Sequence, residues 1–411
     1  LALTQDEIDS LSLKAGVVFT PTTPIDIKSL FAGRRRQLQK VIDVVKQTGQ
    51  HAIIFGERGV GKTSLANVLS MFLAQPDSTI ISPRVNCDGQ DTFDSVWRKV
   101  FSLINRTQIT KQPGFTGSDK TEVHTVAREH TDTATPDSIR AFLANLSQGT
   151  LLILIIDEFD RLPQKVKATF ADTIKNLSDH AVQVTVVLVG VADTVGELIR
   201  EHQSVERALV QIRMPRMSLA EIEEIVNNGL KNLGMTIDAD ALNRITLLSQ
   251  GLPHYTHLLA RDSARGALSM KSLNIESQVV DDAIQRAVED AQQSIRSAWH
   301  KATMSPRKNN LFANVLLACA LAPTDDLGFF AAADVREPMQ QVTGRKYEIP
   351  SFAQHLSEFC DAKRGAILQK TGQKRSYRFR FMNPLMQPFV IMQGFASGRM
   401  KSEPKPVPTK S

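Results

Sequence analysis

Gly56, Gly61, Lys62 and Thr63 sit at the spacing G-x-x-x-x-G-K-[ST] within Ile53–Leu65, IIFGERGVGKTSL. An apolar run that reads as a strand precedes the motif and a periodic segment that reads as a helix follows it, the context such a loop needs. Glycines there let the backbone curl until its N–H groups converge on phosphate oxygens, at the start of a helix whose dipole favours an anion. The spacing therefore points to a nucleoside triphosphate cradled by Gly56, Glu57, Arg58, Gly59, Val60, Gly61, Lys62, Thr63 and Ser64. Lys62 is expected on the β- and γ-phosphates and Thr63 on a magnesium ion.

A second constellation follows about one strand–helix–strand–helix unit later, in LLILIIDEFD. Its continuous apolar run reads as a strand buried on both faces, as in a parallel sheet covered by helices. Asp157 and Glu158 close it, and the expected roles are Asp157 in the magnesium shell and Glu158 orienting the attacking water. Val182–Val189 is another buried-strand pattern, with Asp193 just past its tip as a candidate sensor of nucleotide state or a cap of the next helix. Arg207 lies just before LVQIRMP, as a surface ion-pair residue or as an arginine offered to a neighbouring subunit's phosphate.

These residues need elements to hold them. Leu38, Val41, Ile42 and Val45 recur at helical spacing after the turn Phe31–Arg34, which is placed to wall a base pocket through Gly33 and Arg34. Residues 106–136 are rich in threonine, glycine and short polar residues with little periodicity, and read as a long loop or a partly disordered insertion. From Ser218 to Ala291 the pattern is helical throughout, suggesting a lid in which Pro253 and His254 start a helix at the nucleotide. Three helix candidates, Leu311–Leu321, Phe330–Val342 and Pro350–Cys360, follow a helical or loose linker, and then a hairpin in which Tyr377, Phe379 and Phe381 alternate with Ser376, Arg378 and Arg380. Three helices and a basic hairpin describe a winged helix, whose wing offers Lys370, Lys374, Arg375, Arg378 and Arg380 to a nucleic-acid backbone. The would-be recognition helix, SFAQHLSEFCD, carries Glu358 and Asp361 and is a poor phosphate binder.

The whole chain of 411 residues has a net charge of +6. From Lys301 onward there are 17 Lys plus Arg against 8 Asp plus Glu, which leaves the first 300 residues at a net −3. An anionic partner beyond the nucleotide is thus expected at the C-terminal end. The three cysteines, Cys87, Cys319 and Cys360, lack zinc or disulfide spacing. No run approaches a membrane span and the first residues lack the pattern of a signal peptide, so a cytoplasmic location without membrane contact is expected.

In this order, the motifs resemble those of the AAA+ ATPases, particularly the replication-initiator and origin-recognition branch, with features of their STAND relatives. The match runs from about residue 30 to 390: Gly33 and Arg34 in the turn, Walker A through Gly56, Gly61, Lys62 and Thr63, Walker B through Asp157 and Glu158, and Arg207 in the finger segment. The lid arginine of sensor 2 falls on His254, and Gly251-Leu252-Pro253 is similar to the GLP element of STAND switches. Initiators usually have asparagine where this chain has Asp193, which adds negative charge near the phosphate unless it is paired.

The resemblance implies a fold of an α/β parallel-sheet domain (31–216), a helical lid (217–292), a linker (293–306), a C-terminal winged helix (307–397) and a tail (398–411), after an N-terminal helix and extended segment (1–30). It also implies an ATPase using ATP and Mg2+, homo-oligomers in which Arg207 completes a neighbour's site, and action on double-stranded DNA or recruitment of a partner. The alternative is a STAND-type signalling ATPase whose winged helix docks a protein effector.

Overall fold

The computed structural model describes residues 3–21, 33–73, 80–110, 120–129, 133–193, 195–199, 205, 207–306, 310–325, 327–373 and 376–400. After α1 (Gln5–Val18) and α2 (Arg35–Val45), the α/β domain runs β1 (His51–Gly56), α3 (Lys62–Leu73), β2 (Ile80–Ile81), β3 (Arg84–Asn86), α4 (Phe93–Ser102), β4 (Asn105–Thr110) and β5 (Lys120–Thr125). It continues through α5 (Pro136–Leu146), β6 (Leu151–Asp157), α6 (Gln164–Asp179), β7 (Val184–Val191), the short α7 (Val195–Leu198) and β8 (Leu209–Arg213). The central sheet is parallel in the order β2-β6-β7-β1-β8, with β3 also pairing β6.

Alternation explains the layers. Ile153 and Ile155 of β6, with Val187 and Val189 of β7, pack toward Leu38 and Val41 of α2 and Leu65 and Leu69 of α3. Leu152, Leu154 and Ile156, with Val186 and Leu188, face the opposite side with Trp97 of α4, Leu143 of α5 and Phe170 of α6. A strand buried on both faces must be apolar at every position, which is why β6 and β7 read as unbroken runs. Both strands end at the same edge of the sheet as β1, so Gly56, Asp157 and Val191 arrive together.

The lid comprises α8 (Leu219–Leu233), β9 (Thr236–Ile237), α9 (Ala239–Ser249), α10 (Pro253–Ser269), β10 (Asn274–Ile275) and α11 (Ser277–Glu289). The N-terminal segment belongs with it: α1 packs on α8 and α10. Phe19 is fully buried, edge-on to His257, at a place where a side chain on Gly229 would collide with its ring. The C-terminal domain is α12 (Gln293–Thr303), α13 (Phe312–Leu321), β11 (Phe330–Ala331), α14 (Arg336–Thr343), α15 (Ile349–Glu358), β12 (Leu368–Thr371), β13 (Arg378–Phe381) and α16 (Met386–Ala396). Its sheet runs β11-β13-β12, with Phe379 and Phe381 buried as the alternation predicts.

Several boundaries differ from expectation. The polar segment 106–136 is not a plain loop, since β4 and β5 pair antiparallel from Asn105↔Thr125 to Thr110↔Lys120. Strand pairing satisfies the backbone regardless of side-chain periodicity, so composition gave no sign of it. The linker 293–306, which the sequence reads as helical or loose, forms the helix α12, packed on α13. The expected helix over 330–342 begins instead as β11, since Phe330 pairs with Phe379. The tail expected after Gly398 falls, from residue 401 onward, outside the described residues.

Candidate nucleotide site

The loop between β1 and α3 is shaped by its glycines. Gly56 has φ +152°, and a Cβ there would strike the Met214 carbonyl; Gly61 has φ +92°, a region L-residues avoid. Lys62 is drawn into the curl, its Nζ donating to the carbonyls of Gly56 (3.0 Å) and Glu57 (2.7 Å). Burial pushes its pKa down to about 8, against the opposing pull of Asp160 and Asp157. Thr63 Oγ1 donates to Asp157 Oδ2 at 3.0 Å, so the hydroxyl and carboxylate assigned to the metal meet directly.

Asp157 is almost fully buried, and its Oδ1 accepts the Glu158 N–H at 2.8 Å. Glu158 takes a left-handed conformation, φ +55°, ψ +33°, at the turn after β6. Its Oε2 accepts from Arg161 Nη1 at 2.8 Å, and that contact raises the arginine's pKa. Asp160 anchors the neighbouring strand tip by accepting the Val191 N–H at 2.8 Å.

A cleft of about 690 Å³ joins these groups to the lid. It is lined by Arg58, Gly59, Gly61, Lys62, Thr63, Ser64, Asp157, Glu158, Asp160 and Arg161 of the α/β domain and by Thr20, Pro21, Arg34, Met217, Ile225, Pro253, His254 and His257, the lid's Pro253 reaching the loop at Gly61. Arg34 is 1% exposed, with Nη2 donating to the carbonyls of Val60 (3.1 Å) and Pro215. Its Nε and Nη1 are buried without hydrogen-bond partners, and burial lowers its pKa. Gly33 lies behind it, donating its N–H to Glu224 at 3.0 Å. His254 Nδ1 lies 2.7 Å from the Pro21 carbonyl, and burial lowers the pKa of this ring and takes that of His257 down to about 4.

The donor set fits a magnesium nucleotide. It has a lysine already bonded through its ammonium protons, a hydroxyl–carboxylate pair, and the buried Arg34 guanidinium with two unbonded donors. No group of three or more His, Cys, Asp or Glu able to hold a metal occurs among the described residues. That suits magnesium, which is commonly held by one or two protein oxygens plus phosphates.

Other expected residues sit elsewhere. Asp193 does not line the cleft; its carboxylate is paired with Arg380 of β13, both side chains 20% exposed. The paired state removes the repulsion that its charge implied. Arg207 is exposed two residues before Leu209, which pairs with His51 at the start of β1, so it lies at the opposite edge of the sheet from the phosphate loop.

The basic hairpin also differs from expectation. Arg378 is engaged with Asp325 (2.6 Å), and Arg380 with Asp193, with Gln369 (3.0 Å) and with the face of Phe329. Neither projects freely toward a backbone of phosphates, because carboxylates brought by the fold neutralise them. Lys370 lies over the Tyr377 ring, and Lys374 and Arg375 lie outside the described residues.

Sequence reasoning missed the contacts that join the C-terminal domain to the loop and the lid. Arg216 bridges Glu57 (2.7 Å) and Gln387 of α16 (2.7 Å), Tyr255 Oη donates to the Leu385 carbonyl (2.8 Å), and the Leu385 side chain faces Gly59. Such contacts span more than a hundred residues, and no local spacing encodes them. Arg84 was missed for the same reason, although its strand lies beside β6.

The phosphate loop, acidic strand tip and parallel sheet stand beside a helical lid, and residues 45–196 match the family model described as an AAA domain. A curated relative, ORC1-type DNA replication protein 2 of Thermoplasma acidophilum, is 23% identical over 223 residues, covering 52% of this chain and 50% of its own length. The chain thus spans about half the length of that relative. Among solved structures, the ORC2 protein of Aeropyrum pernix matches over 94% of this chain and 98% of its own (TM-score 0.48, 14% identity). Cdc6p of Pyrobaculum aerophilum matches over 94% and 99% (TM-score 0.45, 14% identity). No helix among the described residues is long and apolar enough to cross a membrane.

Proposed function

We propose that this chain is an ATP-binding and ATP-hydrolysing switch whose C-terminal domain responds to the nucleotide and engages double-stranded DNA. The observation that carries the nucleotide half is the meeting of Thr63 with Asp157 beside the buried Lys62. Lys62 holds the β- and γ-phosphates, exchanging its bonds to the loop carbonyls for bonds to phosphate oxygens. Thr63 and Asp157 hold magnesium, which neutralises phosphate charge. Arg34 and the lid residues Pro253 and His254 enclose the other end of the ligand. Glu158 orients the attacking water once it leaves Arg161, and that prior engagement supports slow turnover. Arg207, exposed and remote from its own cleft, is offered to the site of a second copy in a homo-oligomer.

The DNA half is supported by the basic C-terminal end and by the initiator-type relative. With Arg378 and Arg380 engaged within the chain, Lys370, Lys374 and Arg375 carry the wing's contacts in this reading. A second reading, a STAND-type switch that docks a protein effector, is favoured by the Asp193–Arg380 and Arg216–Gln387 contacts, which tie the C-terminal domain to the nucleotide machinery. ATP turnover with and without duplex DNA at two salt concentrations separates them. DNA-stimulated turnover that disappears at high salt supports the first reading, because phosphate contacts weaken steeply with salt. Turnover indifferent to DNA at both salts removes it and leaves the effector reading.

A further inference from the structure

Asp157 has a side chain only 4% exposed, and its oxygens are already committed. Oδ1 takes the Glu158 N–H, while Oδ2 receives both the Thr63 hydroxyl at 3.0 Å and Arg84 Nη2 at 2.9 Å. Arg84 comes from β3, whose Asn86 pairs with Asp157 in register. Its guanidinium is also held by neutral partners, Asn67 Oδ1 at 2.6 Å and Asn86 Oδ1 at 3.2 Å. A protein cation therefore occupies the one carboxylate oxygen that faces the threonine of the metal pair.

Two cations on one buried oxygen oppose each other strongly, since little water screens them. A divalent ion served by Thr63 and Asp157 must work against the Arg84 charge or move it off Oδ2. The two asparagine oxygens give the guanidinium somewhere to remain when it moves. We propose that Arg84 is a displaceable counter-ion of Asp157 that sets how much divalent metal the nucleotide site requires. It is a positioning residue, acting through Asp157, and the inference rests on the magnesium–nucleotide reading above.

The test titrates Mn2+ into the full chain with saturating ADP and follows free Mn2+ by electron paramagnetic resonance, a readout independent of turnover. Arg84→Gln is expected to lower the Mn2+ half-saturation concentration roughly fivefold, because one opposing charge is gone. Arg84→Lys, which keeps the charge, is expected to stay within about twofold of the wild type. Arg84→Met supplies a second neutral variant if the glutamine one does not fold. An arginine that only ties β3 to β6 would leave metal affinity unchanged or weaken it in the neutral variants, and that result overturns the proposal. If the wild type binds no Mn2+ in the presence of ADP, the nucleotide reading itself fails and this inference fails with it.

Discussion

The phosphate loop and the C-terminal hairpin both present dense cations, and they dispose of them in opposite ways. Lys62 is buried, bonded to main-chain carbonyls that cannot neutralise its charge, and kept available for an anion. Arg378 and Arg380 are closed by carboxylates of the same chain, Asp325 and Asp193. A cation serves a partner only where the fold withholds an internal counter-charge. If that difference is sound, Lys62→Ala has the largest effect of any substitution considered: affinity for a fluorescent ATP analogue drops by about 100-fold or more, as removal of a buried charged hydrogen-bonding partner entails. A loss under about threefold would break the comparison at its first term.

The same comparison sorts what was legible in the sequence. Walker-type spacing fixes a loop through local geometry, so Gly56 to Ser64 and the strand tip at Asp157 and Glu158 could be read from a few neighbouring letters. The doubly buried strands were equally plain in LLILII and VTVVLV, because a strand with two covered faces tolerates few polar side chains. Pairings made by distant segments were not legible. Arg380 meets Asp193 across 187 residues, and the hairpin alternation specified only which face was polar, never what that face would meet. The antiparallel pair β4–β5 was hidden for a related reason, since its ladder is made of backbone groups common to every sequence.

The depressed pKa of Lys62 sharpens the contrast. The lysine carries its proton below about pH 8 and loses it above, because burial disfavours the charged form. Only the ammonium attracts phosphate, so nucleotide affinity is expected to be flat up to about pH 8 and to fall by up to about tenfold per unit above it. Isothermal titration across pH 7 to 10 measures this. Arginine guanidiniums stay charged over that range, so if the hairpin contacts duplex DNA, that binding should show no matching step.

The pair Asp193–Arg380 comes next in size. Both side chains are one-fifth exposed, so solvent weakens the attraction without abolishing it. A double-mutant cycle of Asp193→Ala and Arg380→Ala, read from urea unfolding, should give a coupling of about 1 kcal/mol. The exchanged pair, Asp193→Arg with Arg380→Asp, should recover part of what either single reversal loses. Coupling near zero would mean that the hairpin rests on the sheet domain without being electrostatically tied to it, and the wing arginines would again be available to a partner.

The smallest effect belongs to Lys370, and it bears on the weakest part of the comparison. Its ammonium lies 4.5 Å from the Tyr377 ring centre, an attraction that leaves the charge unneutralised, unlike the ion pairs of its neighbours. If the wing contacts duplex DNA, Lys370→Ala should remove one phosphate contact: affinity falls uniformly across sequences and the salt slope shrinks by about one. Arg378→Ala should change that slope less, because its charge is already spent on Asp325. Fluorescence anisotropy at four or five salt concentrations resolves a change of that size. If Arg378→Ala reduces the slope as much as Lys370→Ala does, the internal ion pair opens when DNA arrives, and the hairpin belongs with Lys62 as a store of usable charge.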